Sequence, residues 1–580
     1  MIPGIRDDDD RMKTLRNRLQ ALSTDQWAGL SRCFSAKKAN GHTLIAEALR
    51  RCRVKHVLGI TGTPVDSIFP ECSARGIRPI GTRHQQAAVL IAASGNYMAG
   101  RLESVVVVSA GPAVTNALTG VLVARDNGWP VVVMGGRRPV NQEGIGYFQE
   151  LDAVPIFRSV TKWAVKVEQT SDIMRIVIQA FEIACSGRPG PVYLDLPEDV
   201  LHGMSDMDCS RSPEIAPWSQ IPAHSMAEAA RLLSTAERPL LILGEGIRWS
   251  FSRSSLQSMV ERSGIPFITT PMARGFLPDD HPLCANEVRR WIQSQADVIL
   301  MAGASFDWRF RFGGELALGV RIMQVETDEK MLGKNVKDAL TVCADSGLFL
   351  VQLQEALQHQ DPRRMVWTAS WQGVVKAMCE ERRKVRLPWL FEESSPMRPQ
   401  QLFLAIRDFL PVDSVVVLDG NITLSTGQVI LSANAPCGWL DPGWNGCMGS
   451  GIPFGMGAKL VAPERMVVVI CGDFGFGLSA MDLETAVRHR LPVIVIIANN
   501  DGITGSLRQK ANFSPDYPEL FSRFRPQIRY EKIMEIYGGH GEFVDEAADI
   551  RPALDRAAAS GLPSCINVRV DPDSPGPGVW

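Results

Sequence analysis

Asp473 and Asn500 each stand just past the end of an apolar, β-branched run, and their residue types suit one kind of chemistry. Met466–Cys471 stops at Gly472-Asp473, and Val493–Ala498 stops at Asn499-Asn500. Between them Ala480, Leu483 and Val487 recur at spacings of three and four, which predicts a helix. The order is then strand, glycine-rich loop, helix, strand, with length enough for one crossover between parallel neighbours. Both polar residues fall at the carboxyl ends of strands, the edge where open α/β sheets bind ligands. Asp473 offers a hard anionic oxygen, Asn500 a neutral one, and the turn at Asp501-Gly502 a backbone carbonyl. Three such oxygens, with positions left for phosphate oxygens and water, describe a Mg²⁺ site that holds a diphosphate. Gly472, Phe474, Gly475 and Gly477 surround Asp473, and the glycines let backbone N–H groups approach a diphosphate at the positive end of the following helix. An ordinary βαβ unit with a surface Asp and Asn would read similarly; the spaced Asn-Asn favours the ligand site.

The rest of the chain has to carry that edge. Its 580 residues suggest three or four domains, and 45% hydrophobic with 21% charged residues is a globular composition. A net charge of −2 gives no footprint for nucleic acid or an acidic membrane surface. No apolar run approaches the roughly 20 residues of a membrane-spanning helix. The start, with Asp7–Asp10 and no apolar stretch, does not read as a secretory signal. Twelve cysteines without any C-x-x-C pair suit a reduced, cytoplasmic chain with mostly buried thiols.

Residues 1–35 read as a solvated extension. A first α/β domain spans 36–205, with a helix at His42–Arg51 and strands at Val54–Ile60, Ser104–Ser109 and Pro130–Met134. A linker covers 201–222. A second domain spans 223–360, with strands at Pro239–Leu243, Val298–Met301 and Ile322–Val325. The charged, proline-punctuated stretch 358–398 reads as a second linker, and the third domain spans 399–575. The fold class is α/β, three doubly wound parallel-sheet domains.

Gly-Asp followed after a helix and strand by Asn-Asn-Asp-Gly resembles the diphosphate motif of thiamine-diphosphate (ThDP) enzymes. The resemblance runs from Ala36 to about Val570. It is nearest to the branch of 2-hydroxyacyl-CoA lyase and oxalyl-CoA decarboxylase, with acetolactate synthase more distant. The phrases that carry it include Thr270-Pro271-Met272-Ala273-Arg274-Gly275, Asp280-His281-Pro282, Phe148-Gln149-Glu150 and Gly303-Ala304-Ser305-Phe306-Asp307-Trp308.

That resemblance implies pyrimidine-binding, middle and diphosphate-binding domains, with ThDP and Mg²⁺ as cofactors. Asp473, Asn500 and the Gly502 carbonyl would be the metal ligands. Each active site would lie between the first domain of one subunit and the third of another, in a homodimer or homotetramer. In Gly446-Cys447-Met448-Gly449, Met448 would wedge the cofactor into a V and the Gly446 carbonyl would orient its amino group. Asn421, in Asp419-Gly420-Asn421, falls where relatives place a second loop over the diphosphate; a simple strand-to-helix turn fits as well. Relatives carry an Asn where this chain has Ile422. Gln149 and Phe148 match residues that face the reacting carbon, Gly62-Thr63-Pro64 matches a nearby loop, and His84 is available to carry a proton. His84 also reads as a plain helix-end residue; Arg137, Arg138 and Lys162 could meet an anionic substrate or an adenine nucleotide, with surface solvation the safer reading for each.

Three positions depart from the family. In Arg83-His84-Gln85-Gln86-Ala87-Ala88, Gln85 replaces the glutamate that exchanges a proton with N1′ of the aminopyrimidine. An amide can hydrogen-bond N1′ but has no proton to exchange, and such acid–base help is worth about 10²–10⁴-fold. The related glyoxylate carboligase manages with an apolar residue there. Thr504, beside the cofactor, replaces a tyrosine of the CoA-using relatives, and Asp573–Trp580 is too short for their closing segment. The expected substrate is a small carbonyl compound, and the expected activity a C–C lyase or carboligase. A 2-oxo-acid decarboxylase or acetolactate-synthase-like carboligase, or a catalytically impaired ThDP-binding regulatory or structural protein, are the alternatives. ADP, CoA or FAD could sit in the middle domain, but Gly244-Glu245-Gly246 forms no dinucleotide fingerprint.

Overall fold

The computed structural model of the chain describes residues 38–207, 212–215, 221–249, 253–358, 368–503, 522–574 and 577, so the extension at 1–35 and Thr504 lie outside it. Each α/β unit forms one parallel sheet. The first has the spatial order Arg78–Gly81, His56–Gly59, Ser104–Val108, Val131–Arg137, Pro191–Pro197, Trp163–Lys166. The middle sheet runs Phe267–Thr269, Pro239–Leu243, Val298–Ala302, Arg321–Glu326, Leu340–Cys343. The third runs Trp439–Leu440, Val415–Asp419, Val467–Gly472, Ile494–Asn499, Ser564–Arg569, His540–Val544. The central strands are continuous apolar runs, mostly β-branched in the first and third sheets, and are buried, as a sheet covered by helices on both faces requires.

The first and third sheets share one topology: numbered by chain order within each, both read 2-1-3-4-6-5. In such a sheet the chain reverses its winding between strands 1 and 3, and the crevice outside their carboxyl ends is the ligand position. In the third sheet those strands are Val415–Asp419 and Val467–Gly472, paired with Asp419 opposite Cys471.

Three expectations are corrected. The stretch 358–398 contains a 23-residue helix, Thr368–Leu390. Its charges face outward, while Trp371, Val375 and Cys379, four residues apart, are buried against the middle sheet. Residues 201–206 belong to the first domain: Met204–Asp206 pairs antiparallel with Lys38–Asn40. The glycines after Asp473 form no open loop. Asp473–Ser479 is already helical, a 3₁₀ turn follows at Ala480–Asp482, and Leu483–His489 completes the crossover.

One apolar cluster joins the inner faces of all three domains. Its centre is the packing of helix Gln85–Ala99 against helix Gly451–Val461. They meet at glycine: a Cβ on Gly457 would stand 2.1 Å from Ser94 Oγ and 2.4 Å from the Ile91 carbonyl oxygen. Trp129 fills the next layer between Tyr97 and Phe454. The Tyr97 hydroxyl donates to the Met272 carbonyl at 2.8 Å, tying the middle domain to the same column.

Gly457→Ala therefore forces two helices apart and costs about 1–3 kcal/mol. Gly373→Ala, where a Cβ meets nothing within 4 Å, is neutral or slightly stabilising. Parallel thermal melts of the two variants check the contrast.

Candidate functional site

At the switch point of the third sheet a cavity of about 200 Å³ is lined by Gly472, Asp473, Phe474 and Gly475 on one side and Gly420, Asn421, Ile422 and Thr423 on the other. Met448, Asn500, Gly502 and Asp571 also line it. Eight residues expected from the sequence thus meet in one place. Gly420 has φ +105°, which turns the chain from strand into helix Asn421–Ile430 and leaves Asn421 at the cavity wall. Ile422 makes that wall partly apolar.

Asp473 is buried and accepts hydrogen bonds from the N–H groups of Phe474 (2.9 Å, Oδ1) and Gly502 (2.8 Å, Oδ2). Burial nevertheless pushes its carboxyl up to about 7, opposed by those two donors. With the Asn500 side-chain oxygen turned inward, it faces Asp473 Oδ1 at 3.3 Å and the Gly502 carbonyl oxygen at 2.9 Å. Three acceptors then converge with no donor among them. With the amide nitrogen inward, the same atom hydrogen-bonds both. Adjacent oxygens in an octahedral shell of metal–oxygen distance about 2.1 Å lie about 3 Å apart, so the oxygen-inward arrangement is what a small hard cation would satisfy. Among the described residues no cluster of three His, Cys, Asp or Glu could hold a metal, so any cation here must use amide and carbonyl oxygens beside one carboxylate. Gly472 is open on the side where a Cβ would project, whereas Gly475 presses against the Asp419 carboxyl.

The first-domain residues stand elsewhere. Gln85 opens helix Gln85–Ala99, and its Oε1 accepts from Asn116 Nδ2 at 3.1 Å. His84 is the N-cap of that helix, its Nδ1 accepting from the Gln86 N–H, which is the plainer of its two readings. Arg83 N–H donates to buried Asp482 of the third domain at 2.8 Å, and Arg488 reaches the Gly81 carbonyl. The position of Gln85 is thereby set by the crossover that begins at Asp473. Phe148 is 71% exposed. Gln149 has φ +59° and its Oε1 accepts from Arg138 at 3.0 Å. None of these four lines the cavity of its own chain. Gly446, in the left-handed region at φ +66°, ends a 3₁₀ turn and does not line it either.

Sequence reasoning missed the arginines that hold the Phe148 loop. Arg137 is half-buried and makes ion pairs with Asp195 (2.7 Å), Glu143 (2.9 Å) and Asp152 (3.2 Å). Arg138 donates to the Phe148 carbonyl at 2.8 Å and lies over its ring. Lys162 is exposed as a residue, but its Nζ donates to the Ser186 carbonyl and burial lowers its amine to about 8, so it is not simply solvated either. The alternation of Arg137-Arg138 with Glu143 and Glu150 across a loop rich in glycine was the available signal. In the middle domain the crevice beside Gly244–Gly246 and Gly303–Ser305 amounts to about 20 Å³. Arg309, paired with Glu245 (3.1 Å) and Asp307 (2.8 Å), is one of its lining residues.

Models of thiamine pyrophosphate enzymes match along the chain: the N-terminal TPP binding domain at residues 39–156, the central domain at 226–353 and the C-terminal TPP binding domain at 420–568. A 2-hydroxyacyl-CoA lyase of Oryza sativa subsp. japonica is 32% identical, covering 93% of this chain and 96% of that protein. A probable acetolactate synthase of Mycobacterium bovis is 34% identical, with 93% and 97% covered. Oxalyl-CoA decarboxylase of Escherichia coli K12 is 30% identical, with 92% and 95% covered.

The raised Asp473 carboxyl has a measurable consequence in metal-free protein. A carboxyl whose pKa is higher folded than unfolded binds more protons in the native state, so its ionisation removes stability as pH rises toward about 7. Asp473→Asn does not ionise. In chelator-treated samples its melting temperature rises relative to wild type between pH 5 and 8, a gain on the order of 2–4 kcal/mol.

Proposed function

We propose, from the premise that this chain belongs to the thiamine pyrophosphate enzyme family in the branch of 2-hydroxyacyl-CoA lyase and oxalyl-CoA decarboxylase, that it is a Mg²⁺- and ThDP-dependent lyase or carboligase. It would break or form a carbon–carbon bond next to a carbonyl, and its substrate is a small carbonyl compound. The observation that carries this reading is the convergence of Asp473 Oδ1, the Asn500 side chain and the Gly502 carbonyl at the switch point of the third sheet. Those three oxygens would hold Mg²⁺. Gly472, Phe474, Gly475 and Asn421 would line the diphosphate, and Met448 would support the rings.

ThDP, when bound, supplies the electron sink for cleavage next to a carbonyl. The chain's own part is to bind, orient and move a proton. With Gln85 Oε1 engaged by Asn116, its Nε2 hydrogens are left to donate, which suits a ring nitrogen that accepts. Gln85 can therefore orient a pyrimidine but cannot shuttle its proton, and turnover is slower for it.

The reading includes a homodimer or homotetramer in which the first domain of one subunit completes the site in the third domain of another. Two observations support that arrangement. Gln85 lies outside the cavity of its own chain, and Ile145, Phe148, Leu478 and Met481 are large apolar side chains left more than half exposed. No helix among the described residues is long and apolar enough to cross a membrane, and the described cysteines are free thiols, mostly buried; both suit the cytoplasmic placement in this reading.

Asp473→Ala removes the metal bridge and abolishes ThDP binding in calorimetry with Mg²⁺; unchanged affinity would sink the metal assignment. Gln85→Glu restores an exchangeable proton and speeds hydrogen–deuterium exchange at C2 of bound ThDP by about 10²-fold or more. No acceleration in a variant that still binds ThDP counts against Gln85 at the pyrimidine.

A further inference from the structure

Asp419 ends the strand Val415–Asp419, is 1% exposed and carries no ion pair among the described residues. Its Oδ2 accepts the Gly451 N–H at 2.8 Å, and the N–H groups of Gly449 and Ser450 are directed at the same carboxyl. Those three residues close the loop Gly446–Gly449, whose end glycines both sit in the left-handed region, at φ +66° and +79°. Such a loop has little backbone stiffness of its own. The helix that follows, Gly451–Val461, has Ser450 as its N-cap residue, but no side chain of that residue caps it. The cap comes across the sheet from Asp419.

The other oxygen makes a cap alone an insufficient account. Asp419 Oδ1 is buried and has no hydrogen-bond partner among the described residues. A Cβ on Gly475 would lie 3.2 Å from it, and one on Gly451 2.7 Å from Asp419 Cβ. The carboxyl is thus clamped between the turn that lines the diphosphate side of the cavity and the loop that carries Met448. A serine or asparagine would cap a helix at smaller cost in desolvation than a buried carboxylate with one orphan oxygen.

Resting on the ThDP reading above, we infer that Asp419 is a positioning residue that fixes the distance between Met448 and the diphosphate turn Gly472–Gly475. It is not among the residues that line the cavity. It acts through the backbone N–H groups of Gly449–Gly451, so that Met448 meets the rings of a ligand whose diphosphate is already seated. Losing it leaves the diphosphate subsite in place and loosens the ring subsite.

The test compares two ligands on the full chain by calorimetry in Mg²⁺: inorganic pyrophosphate, which reports the diphosphate subsite, and ThDP, which reports both. Asp419→Ala weakens ThDP about tenfold and leaves pyrophosphate within about twofold, the loss expected for a hydrogen bond to a charged group. Asp419→Asn keeps one acceptor oxygen and shows a smaller loss in the same direction; it also serves if the alanine variant does not fold. Amide exchange at Gly449–Gly451 quickens in both variants while that at Phe474 and Gly475 does not. Equal weakening of the two ligands, or of neither, overturns the positioning role and leaves the cofactor reading intact. Wild-type protein that binds neither ligand overturns that reading and this inference with it.

Discussion

At the end of the third sheet one terminal atom of the Asn500 amide meets Asp473 Oδ1 and the Gly502 carbonyl oxygen. With the amide oxygen in that place, three acceptors come together without a donor and repel one another. Asp473 is held by two backbone N–H groups, yet its Oδ1, the Gly502 carbonyl and the Asn500 side chain still converge within 3.3 Å. Three things can relieve that repulsion: a proton on Asp473, an inverted Asn500 amide, or a cation. Burial raises the Asp473 carboxyl and so favours the first, and the alternative amide orientation is the second. Both are what the folded chain does alone. The third relieves all the oxygens at once, and the open side of Gly472 leaves room for the anion that would come with it.

The rest of the architecture keeps that edge in place. The first and third sheets repeat one winding, so each has a switch point, but only the third ends its strands in Asp, Asn and open glycines. The first contributes Gln85 at a helix start pinned by Asp482 and Arg488 of the third domain. Gln85 and the turn Gly472–Gly475 are therefore linked through hydrogen bonds to the crossover Asp473–His489, although they do not share a cavity. The glycine crossing at Gly95 and Gly457 brings the two domains close enough for those hydrogen bonds to form.

Much of this was legible because the central strands are continuous apolar runs, and those of the third sheet, nearly pure β-branched, have ends marked by Gly-Asp and Asn-Asn. Pro239–Leu243 was placed to the residue, and Asp473, Asn500 and Gly502 meet as their spacing suggested. The helix beginning at Asp473 was not legible, because Gly475 and Gly477 argue for a loop unless one knows that Gly475 must pack against Asp419. Helix Thr368–Leu390 was hidden by its charges, although the four-residue recurrence of Trp371, Val375 and Cys379 was there to be seen. Arg137 and Arg138 looked solvated because their partners Asp195 and Gln149 are distant in sequence or turned inward by the fold. The division of the expected site into two places is a property of chain packing, and no local pattern encodes it.

The central claim is that this site activates a ThDP molecule without a glutamate. Hydrogen–deuterium exchange at C2 of ThDP bound to the wild-type protein with Mg²⁺, followed by quenched NMR, measures that directly. The account predicts exchange clearly faster than in free ThDP. Exchange no faster than in the free cofactor, with ThDP demonstrably bound, would contradict it and leave a binding protein in place of an enzyme.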